Sequence, residues 1–301
     1  MSFNVGLIGC GKWSTVIIKE INNHKFFNLE AIVCRNKSKK FNKSIKVFSN
    51  TQEMIDKSKI NCVYIATTPE VNLDIIKIIL KKNLPIILEK PIANNSKSSL
   101  KLKKILQSDE IIIMPNLSNI FSECFIEIEN FVKKNKFEIK RIIICEGGMG
   151  PFRDRINPIW DWGFHSISLI FKLFKNDNIS ELKKKIIKEN NLFGYGLVTR
   201  FDLTLNKSIN VKILTGNLFK KKNRYIKVML KNNDFLMCDF INHKVYINNN
   251  LIFRSETTPL NSLFNIFYSS IRNNDFLFSE DLINTSCKTI RFLEKFYKCS
   301  N

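Results

Sequence analysis

The sequence is poor in the residues that ligate metals and in those that interrupt regular structure. It has three histidines, ten glycines and seven prolines, and none of its eight cysteines form a C-x-x-C pair. A structural zinc site is therefore not expected. Several cysteines sit inside apolar strand-like runs, which favours buried free thiols in a reducing compartment.

Long hydrophobic runs are also missing. No stretch approaches the ~20 continuous apolar residues that a membrane span needs, and the N-terminus lacks the basic and apolar segments of a secretory signal. We therefore expect a cytoplasmic protein with no membrane partner. With 301 residues, of which 44% are hydrophobic and 25% charged, the chain can form two medium-sized domains with cores of their own.

Acidic residues are scarce relative to basic ones, which gives a formal net charge of +21. Such a charge is compatible with nucleic acid as a partner, but no basic stripe interleaved with aromatic residues stands out. The lysines are expected on helix surfaces and in turns: Lys101, Lys103, Lys104 and Lys183–Lys185 on helices, and Lys220–Lys222 in a turn. The abundance of Lys, Asn, Ile and Phe indicates a bias of the whole sequence. We therefore expect no nucleic-acid partner, although the positive field could favour an anionic substrate.

The first third of the chain alternates strand and helix patterns. Near-continuous apolar strands are predicted at 3–8, 29–34, 61–66, 84–88 and 110–114, with helices between them. Apolar strands separated by helices are typical of a parallel sheet covered on both faces. The sequence therefore predicts an α/β fold whose first domain, residues 1–118, is a doubly wound Rossmann dinucleotide-binding domain.

The pattern changes after about residue 120. Apolar and polar residues alternate strictly from Leu197 to Leu205, and further short strands follow, separated by Asn-rich turns. Two helices, at about 259–272 and 280–298, close the chain. Residues 119–301 are therefore predicted to form an α+β substrate-binding domain with a large, mostly antiparallel open sheet.

A glycine motif follows the first strand and opens a helix. In Gly9-Cys10-Gly11-Lys12-Trp13-Ser14, Gly9 would allow the tight turn, and Gly11 would let a pyrophosphate approach the helix N-terminus. Ser14 is small enough for close packing of the helix against the strand. Dinucleotide binding by this segment, Lys12 and Trp13 included, is expected; the alternative is a purely structural turn.

The end of the second strand distinguishes NAD from NADP. An acidic residue there would bind the adenosine ribose, but this chain has Cys34-Arg35-Asn36-Lys37. Arg35 could stack on adenine or pair with a 2′-phosphate. The cofactor is therefore predicted to be NAD or NADP, with NADP favoured, unless Arg35 is only a solvated loop residue.

Two further motifs carry acid–base chemistry. Glu89-Lys90-Pro91 directly follows a buried strand, which places Lys90 at the sheet edge where ligands of α/β folds bind. Asp161 and His165 are one helical turn apart and share a helix face. Histidine suits removal of a hydroxyl proton near neutral pH, and a nearby carboxylate can orient its ring. The alternative for His165 is a structural histidine, and that for the tryptophans is core packing.

These motifs, in this order, resemble the glucose–fructose oxidoreductase / inositol dehydrogenase (Gfo/Idh/MocA) family, and the resemblance covers most of the chain. Cys62-Val63-Tyr64-Ile65-Ala66-Thr67-Thr68-Pro69 is similar to a conserved family segment. The resemblance implies a catalytic set of Lys90, Asp161 and His165. It implies a cofactor site that includes Thr67, Pro69, Glu89, Lys90 and Asn116. It also implies a homo-oligomer, dimer or tetramer, formed through the open face of the antiparallel sheet.

The segment from Gly147 to Gly163 is similar to members linked to surface-polysaccharide sugar biosynthesis. That similarity implies substrate contacts from Arg153, Arg155, Trp160 and Trp162, although a charged loop is as good an interpretation. Asn72 and Ser168 depart from common family residues, which leaves the substrate class open. The sequence thus predicts hydride transfer to or from a sugar or nucleotide-sugar. The alternatives are a cyclic polyol or diol dehydrogenase, a catalytically silent nucleotide-binding protein, and a nucleic-acid-binding module.

Overall fold

The computed structural model of the protein describes residues 2–36, 38–109, 111–153, 156–175, 178–190 and 194–297. The chain divides into two compact units. The first comprises Met1–Asn116 and Leu263–Ile290, and the second comprises Leu117–Ser262 and Arg291–Asn301. Within the described ranges, none of the helices combines the length and the apolar character that crossing a bilayer requires.

The first unit contains parallel strands with helices between them. The elements are β1 (Phe3–Ile8), α1 (Lys12–Asn23), β2 (Phe27–Val33), β3 (Lys46–Phe48), α2 (Thr51–Lys57), β4 (Cys62–Ile65), α3 (Pro69–Leu80), β5 (Ile86–Leu88), α4 (Ser96–Asp109) and β6 (Ile113–Pro115). The strand order is β3-β2-β1-β4-β5-β6, and every pair is parallel. Strands β4, β5 and β6 are buried along their whole length. This is the doubly wound arrangement, and it confirms the predicted Rossmann fold.

Two C-terminal helices, α8 (Pro259–Asn273) and α9 (Phe276–Glu294), supply the rest of the first unit. The ring of Phe264 in α8 lies 5.1 Å from that of Phe27 in β2, and both rings are buried. The predicted boundary at residues 118 and 119 had placed these helices with the second domain. The division differs because the apolar stripe of α8 packs on a strand that is more than 200 residues away.

The second unit joins a long sheet to short helices. Its elements are α5 (Ser118–Phe121), α6 (Glu123–Lys134), β7 (Ile139–Met149), a π-helical turn (Ile159–Gly163), α7 (Phe164–Leu173), β8 (Ile179–Asn190), β9 (Gly196–Leu205), β10 (Ile209–Gly216), β11 (Leu218–Leu230), β12 (Phe235–Asp239), β13 (Lys244–Ile247) and β14 (Asn250–Arg254). The strand order is β14-β13-β12-β11-β7-β10-β9-β8. Only β10 and β7 are paired in parallel among these strands. The mostly antiparallel sheet predicted from the sequence is thereby confirmed.

Two groups of lysines lie in strands and not where the sequence predicted them. Lys183–Lys185, expected on a helix, belong to β8, and Lys220–Lys222, expected in a turn, belong to β11. Among the strands that the structure describes, β8 is at the edge of the sheet and pairs only with β9. Most of its residues are exposed, so no apolar periodicity reveals it, and charged residues on an edge strand hinder sheet-to-sheet association.

Candidate functional site

The glycine turn of the first unit has the geometry that its motif predicts. Gly9 has a φ of +111°, and a Cβ added there would collide with the carbonyl oxygen of Ala66. Gly11 is the N-cap of α1. Among the described residues, no atom lies within 4 Å of its side-chain position and no side chain caps the helix. The hydroxyl of Ser14 donates to the Gly11 carbonyl at 2.5 Å. The start of α1 therefore presents backbone N–H groups at an open surface, which favours an anion.

A hydrogen-bond network surrounds Glu89 at the carboxyl end of β5. One carboxylate oxygen of Glu89 accepts from the Trp13 indole at 2.7 Å, the Tyr64 hydroxyl at 2.5 Å and the Asn116 amide at 2.8 Å. Burial and the negative charge of Glu89 raise the pKa of Tyr64 well above its ordinary value. Tyr64 therefore remains a hydrogen-bond donor. The sequence motifs gave Tyr64 no role, although a hydroxyl-bearing residue within an apolar strand was a signal for one.

The loop after β4 is fastened to the loop after β5. The hydroxyl of Thr67 donates to Asn72 at 2.8 Å, and the Asn72 amide donates to the carbonyl of Ile92 at 3.2 Å. Pro69 begins α3, and Asn72 is buried in that helix. Lys90 is half-buried on the loop that Asn72 holds. The departure noted at Asn72 thus has a structural role, because it joins Thr67 to the segment that follows Lys90.

Positive side chains lie beside the glycine turn. Arg35 is exposed just after β2, and the ammonium of Lys39 donates to the carbonyl of Cys10. Lys12 is exposed at the first position of α1, and Lys37 lies outside the described residues. The sequence had not singled out Lys39, since its approach to the turn depends on the fold of the loop after β2.

A disulfide joins Cys10 in the glycine turn to Cys34 at the end of β2. The expectation that all cysteines are free thiols was wrong for these two. Their Cα atoms are 5.3 Å apart because β1 and β2 are adjacent parallel strands, whose following loops meet at the same edge. Cys62, Cys124, Cys145, Cys238 and Cys287 are free and buried.

The second unit carries the predicted acid–base residues in one helical segment. His165 is the second residue of α7, is 8% exposed, and its Nδ1 lies 3.4 Å from the hydroxyl oxygen of Ser118. Asp161 lies in the preceding π-helical turn and forms an ion pair with Arg153. The structure thus gives His165 a hydroxyl neighbour and Asp161 a guanidinium partner.

The residues proposed for substrate contact differ in exposure. Trp162 is partly exposed, and its indole donates to the Gly150 carbonyl at 3.1 Å. Trp160 is 1% exposed and donates to the Tyr297 carbonyl at 3.2 Å. Trp160 therefore packs in the interior of its unit, contrary to the expected substrate contact. Arg155 lies outside the described residues.

Comparison with known proteins bears on the fold and the family. Residues 3–117 match the model of the GFO_IDH_MocA oxidoreductase family, described as an NAD-binding Rossmann fold. No curated protein matches the chain in sequence.

Solved structures match over nearly the whole chain. UDP-N-acetylglucosamine 3-dehydrogenase GnnA from Acidithiobacillus ferrooxidans has a TM-score of 0.77 and 12% identity, with 97% of each chain covered. Aldose-aldose oxidoreductase from Caulobacter crescentus has a TM-score of 0.79 and 11% identity, covering 98% of this chain and 97% of the other. Scyllo-inositol dehydrogenase from Lactobacillus casei, with bound NAD(H) and scyllo-inositol, has a TM-score of 0.75 and 13% identity at the same coverage. At such identities the likeness shows a shared fold. Residues 3–117, the Rossmann domain, match the Gfo/Idh/MocA oxidoreductase family, in agreement with the resemblance of the motifs.

Proposed function

We propose that the protein is an NAD(P)-dependent dehydrogenase or reductase that acts on a CH–OH or keto group of a sugar or nucleotide-sugar. The observation that carries this proposal is the glycine turn at the start of α1. Gly9 has the positive φ that the turn needs, and Gly11 leaves open space in front of an uncapped helix N-terminus. A pyrophosphate fits such a site, because backbone N–H groups and the helix dipole both favour an anion.

The residues at the carboxyl edge of the parallel sheet also fit a dinucleotide. The Oδ1 atom of Asn116 is buried and has no hydrogen-bond partner among the described residues, which leaves an acceptor for a ligand amide. Trp13 and Glu89 lie beside it. When bound, the nicotinamide would accept or supply the hydride. Asn116, Glu89 and Trp13 would line its end of the site, and Gly11 would approach the pyrophosphate.

We favour NADP over NAD at the ribose end. Arg35 is exposed after β2, and Lys39 reaches the carbonyl of Cys10. A 2′-phosphate would find two cations there, whereas the residue at the end of β2 is Cys34 in place of an acid that could bind a ribose diol.

The acid–base step is assigned to His165. Oxidation of an alcohol requires removal of the hydroxyl proton, and a histidine near neutral pH is suited to it. In the reverse direction the same ring returns the proton to the alkoxide. We assign to Asp161 an orienting and substrate-binding role, and to Lys90 a hydrogen bond to the reacting oxygen.

The substrate class is supported by the neighbours' chemistry, since those proteins are named for a nucleotide-sugar, an aldose and a cyclic polyol. A cyclic polyol is therefore the alternative substrate. A role in surface-polysaccharide biosynthesis stays a prediction. Self-association through the open face of the second sheet also stays a prediction.

Turnover of a panel of sugars, nucleotide-sugars and polyols with NADH or NADPH tests the proposal. We expect His165→Asn and Lys90→Met to lower kcat by about 10²- to 10⁴-fold, and in His165→Asn the tryptophan quenching on cofactor binding should be unchanged. His243→Asn is the matched control. His243 has a φ of 53°, which asparagine tolerates, and its replacement should leave turnover intact. Cofactor binding without turnover of any panel member would show a silent nucleotide-binding protein and refute the enzymatic role.

A further inference from the structure

A row of polar side chains crosses four neighbouring strands of the second unit. Thr199 of β9 pairs with Thr215 of β10, and Thr215 pairs with Glu146 of β7. Glu146 in turn pairs with Arg224 of β11. Residues in direct register project from the same face of a sheet. The two threonines and Glu146 are fully buried, whereas Arg224 is partly exposed. The row therefore runs from the interior towards solvent and ends on a cation.

Glu146 holds Arg224 in place. The Nε of Arg224 donates to one carboxylate oxygen at 2.5 Å, and the amide of Asn119 donates to the other oxygen at 2.9 Å. The carboxylate is 1% exposed and the arginine side chain 22%. A buried ion pair is weak evidence for a stabilising role, since well-packed apolar residues often serve as well. Because Arg224 lies at the end of the polar row that is nearest to solvent, a ligand-binding role for this ion pair is considered instead.

An aromatic ring and a second basic residue lie near the guanidinium. The guanidinium carbon of Arg224 lies 5.7 Å from the centre of the Trp162 ring. Trp162 lies over Gly148, where an added Cβ would be 3.1 Å from the indole and 3.9 Å from Cγ of Lys222. Lys222 is two residues before Arg224 in β11, and both side chains lie on the face that Trp162 covers. The guanidinium of Arg224 and the aliphatic stem of Lys222 therefore both lie near the Trp162 indole.

This cluster is joined to the acid–base residue through α5. Asn119 binds Glu146 at 2.9 Å, and the preceding residue, Ser118, lies 3.4 Å from Nδ1 of His165. Both contacts lie within the second unit. Consecutive residues of one short helix thus connect His165 to the ion pair of Glu146 and Arg224.

Donors remain open for a ligand. Glu146 pairs with Nε of Arg224, and in the described part of the chain the two terminal amino groups of that arginine have no hydrogen-bond partner. Lys222 is exposed and forms no ion pair with any described residue. A guanidinium with a lysine side chain nearby suits a carboxylate or phosphate, because these anions accept two parallel hydrogen bonds from its amino groups.

We propose that Arg224 and Lys222 form an anion subsite for the substrate, with Trp162 as the surface against which the sugar ring packs. This inference rests on the proposed function and refines it: the substrate is an anionic sugar. The charged group is either the carboxylate of a sugar acid or the pyrophosphate of a nucleotide-sugar, which share the chemistry that the subsite recognises.

Calorimetric titration of the full-length protein with glucuronate, UDP and glucose distinguishes the two anions from a neutral ring. One variant is Lys222→Ala. The other is the double change Arg224→Met with Glu146→Gln, which removes both charges together and so leaves no buried carboxylate unpaired. Lys227→Ala is the matched control. Lys227 belongs to the same strand but projects from the opposite face, where it lies over the Phe235 ring.

The proposal requires an anion to bind wild type at least tenfold more tightly than glucose does. We expect Lys222→Ala to weaken that binding by about 5- to 10-fold and the double variant by about 100-fold or more, as for lost charge-assisted hydrogen bonds. Lys227→Ala should change it less than about twofold, as a charge outside the subsite. Tighter binding of glucuronate identifies a sugar acid, and tighter binding of UDP identifies a nucleotide-sugar.

Three results would overturn the subsite: neither anion binding better than glucose, unchanged binding in the double variant, or an equal loss in Lys227→Ala. Failure here is separable from failure of the proposed function. Turnover of a neutral sugar that depends on His165 would keep the oxidoreductase and remove the anionic substrate. Anion binding that depends on Arg224, without turnover of any substrate, would keep the anion subsite and remove the oxidoreductase function.

Discussion

Replacing the two glycines of the turn one at a time separates stability from cofactor binding. Gly9 and Gly11 are two residues apart, yet an added methyl group has opposite surroundings in the two positions. At Gly9 it would overlap the Ala66 carbonyl, with a φ of +111° that L-residues rarely adopt. At Gly11 it would meet no atom of the described part of the chain within 4 Å, and the φ is −70°.

The expected magnitudes follow from these surroundings. For Gly9→Ala, the backbone conformation costs about 1–3 kcal/mol, and the collision with a carbonyl of the adjacent loop adds to it. A total of about 3 kcal/mol would lower Tm by roughly 6–12 °C in a unit of this size. For Gly11→Ala, only a poorer N-cap is introduced, which costs about 1 kcal/mol or less. Its Tm should therefore fall by no more than roughly 4 °C.

For cofactor binding, Gly11→Ala is the informative variant, although it is expected to lower Tm less than Gly9→Ala does. The methyl group of Gly11→Ala would occupy the space in front of the α1 N-terminus, so we expect the Kd for NADPH or NADH to rise at least tenfold, or ~1.4 kcal/mol. Scanning calorimetry gives Tm, and tryptophan fluorescence titration gives Kd. A Gly11→Ala protein that keeps both its Tm and its Kd would refute the assignment of this turn to the pyrophosphate.

Two further predictions concern the first unit. Burial lowers the pKa of His24 despite the opposing charge of Glu20, so the folded protein prefers the neutral ring. The unfolded chain takes up the proton near pH ~6.5, so this contribution is complete above that pH and is lost as the pH falls below it. The loss of Tm caused by His24→Leu should accordingly shrink between pH 7 and pH 5, and a constant loss would contradict the assignment. Closing 24 residues of chain with the Cys10–Cys34 disulfide should stabilise the fold by about 3 kcal/mol. A phosphine reductant should thus lower the Tm of wild type by roughly 6–12 °C but leave Cys34→Ser unaffected, whereas an insensitive wild type would show that the thiols are not joined.

Strongly patterned elements were predictable from local sequence, and weakly patterned ones were not. β4 and β5 are apolar throughout because both faces of a parallel sheet are covered. β8 was missed because an exposed edge strand needs no apolar alternation. The same contrast holds in the site. Gly9, Gly11, Lys90 and His165 belong to motifs with a stated chemistry, whereas Ser118 acquires its role only through a contact 47 residues away.

By itself the sequence determined the Rossmann fold, the family resemblance of residues 3–117 and the glycine turn that opens α1, because backbone geometry and apolar periodicity are local properties of the chain. Tertiary structure alone decided which polar residues meet. It packed α8 against β2, joined Cys10 to Cys34, and brought Glu146 from β7 between Asn119 and Arg224. Such contacts depend on strand register and on chain segments far apart in sequence, and no pattern within one segment encodes them.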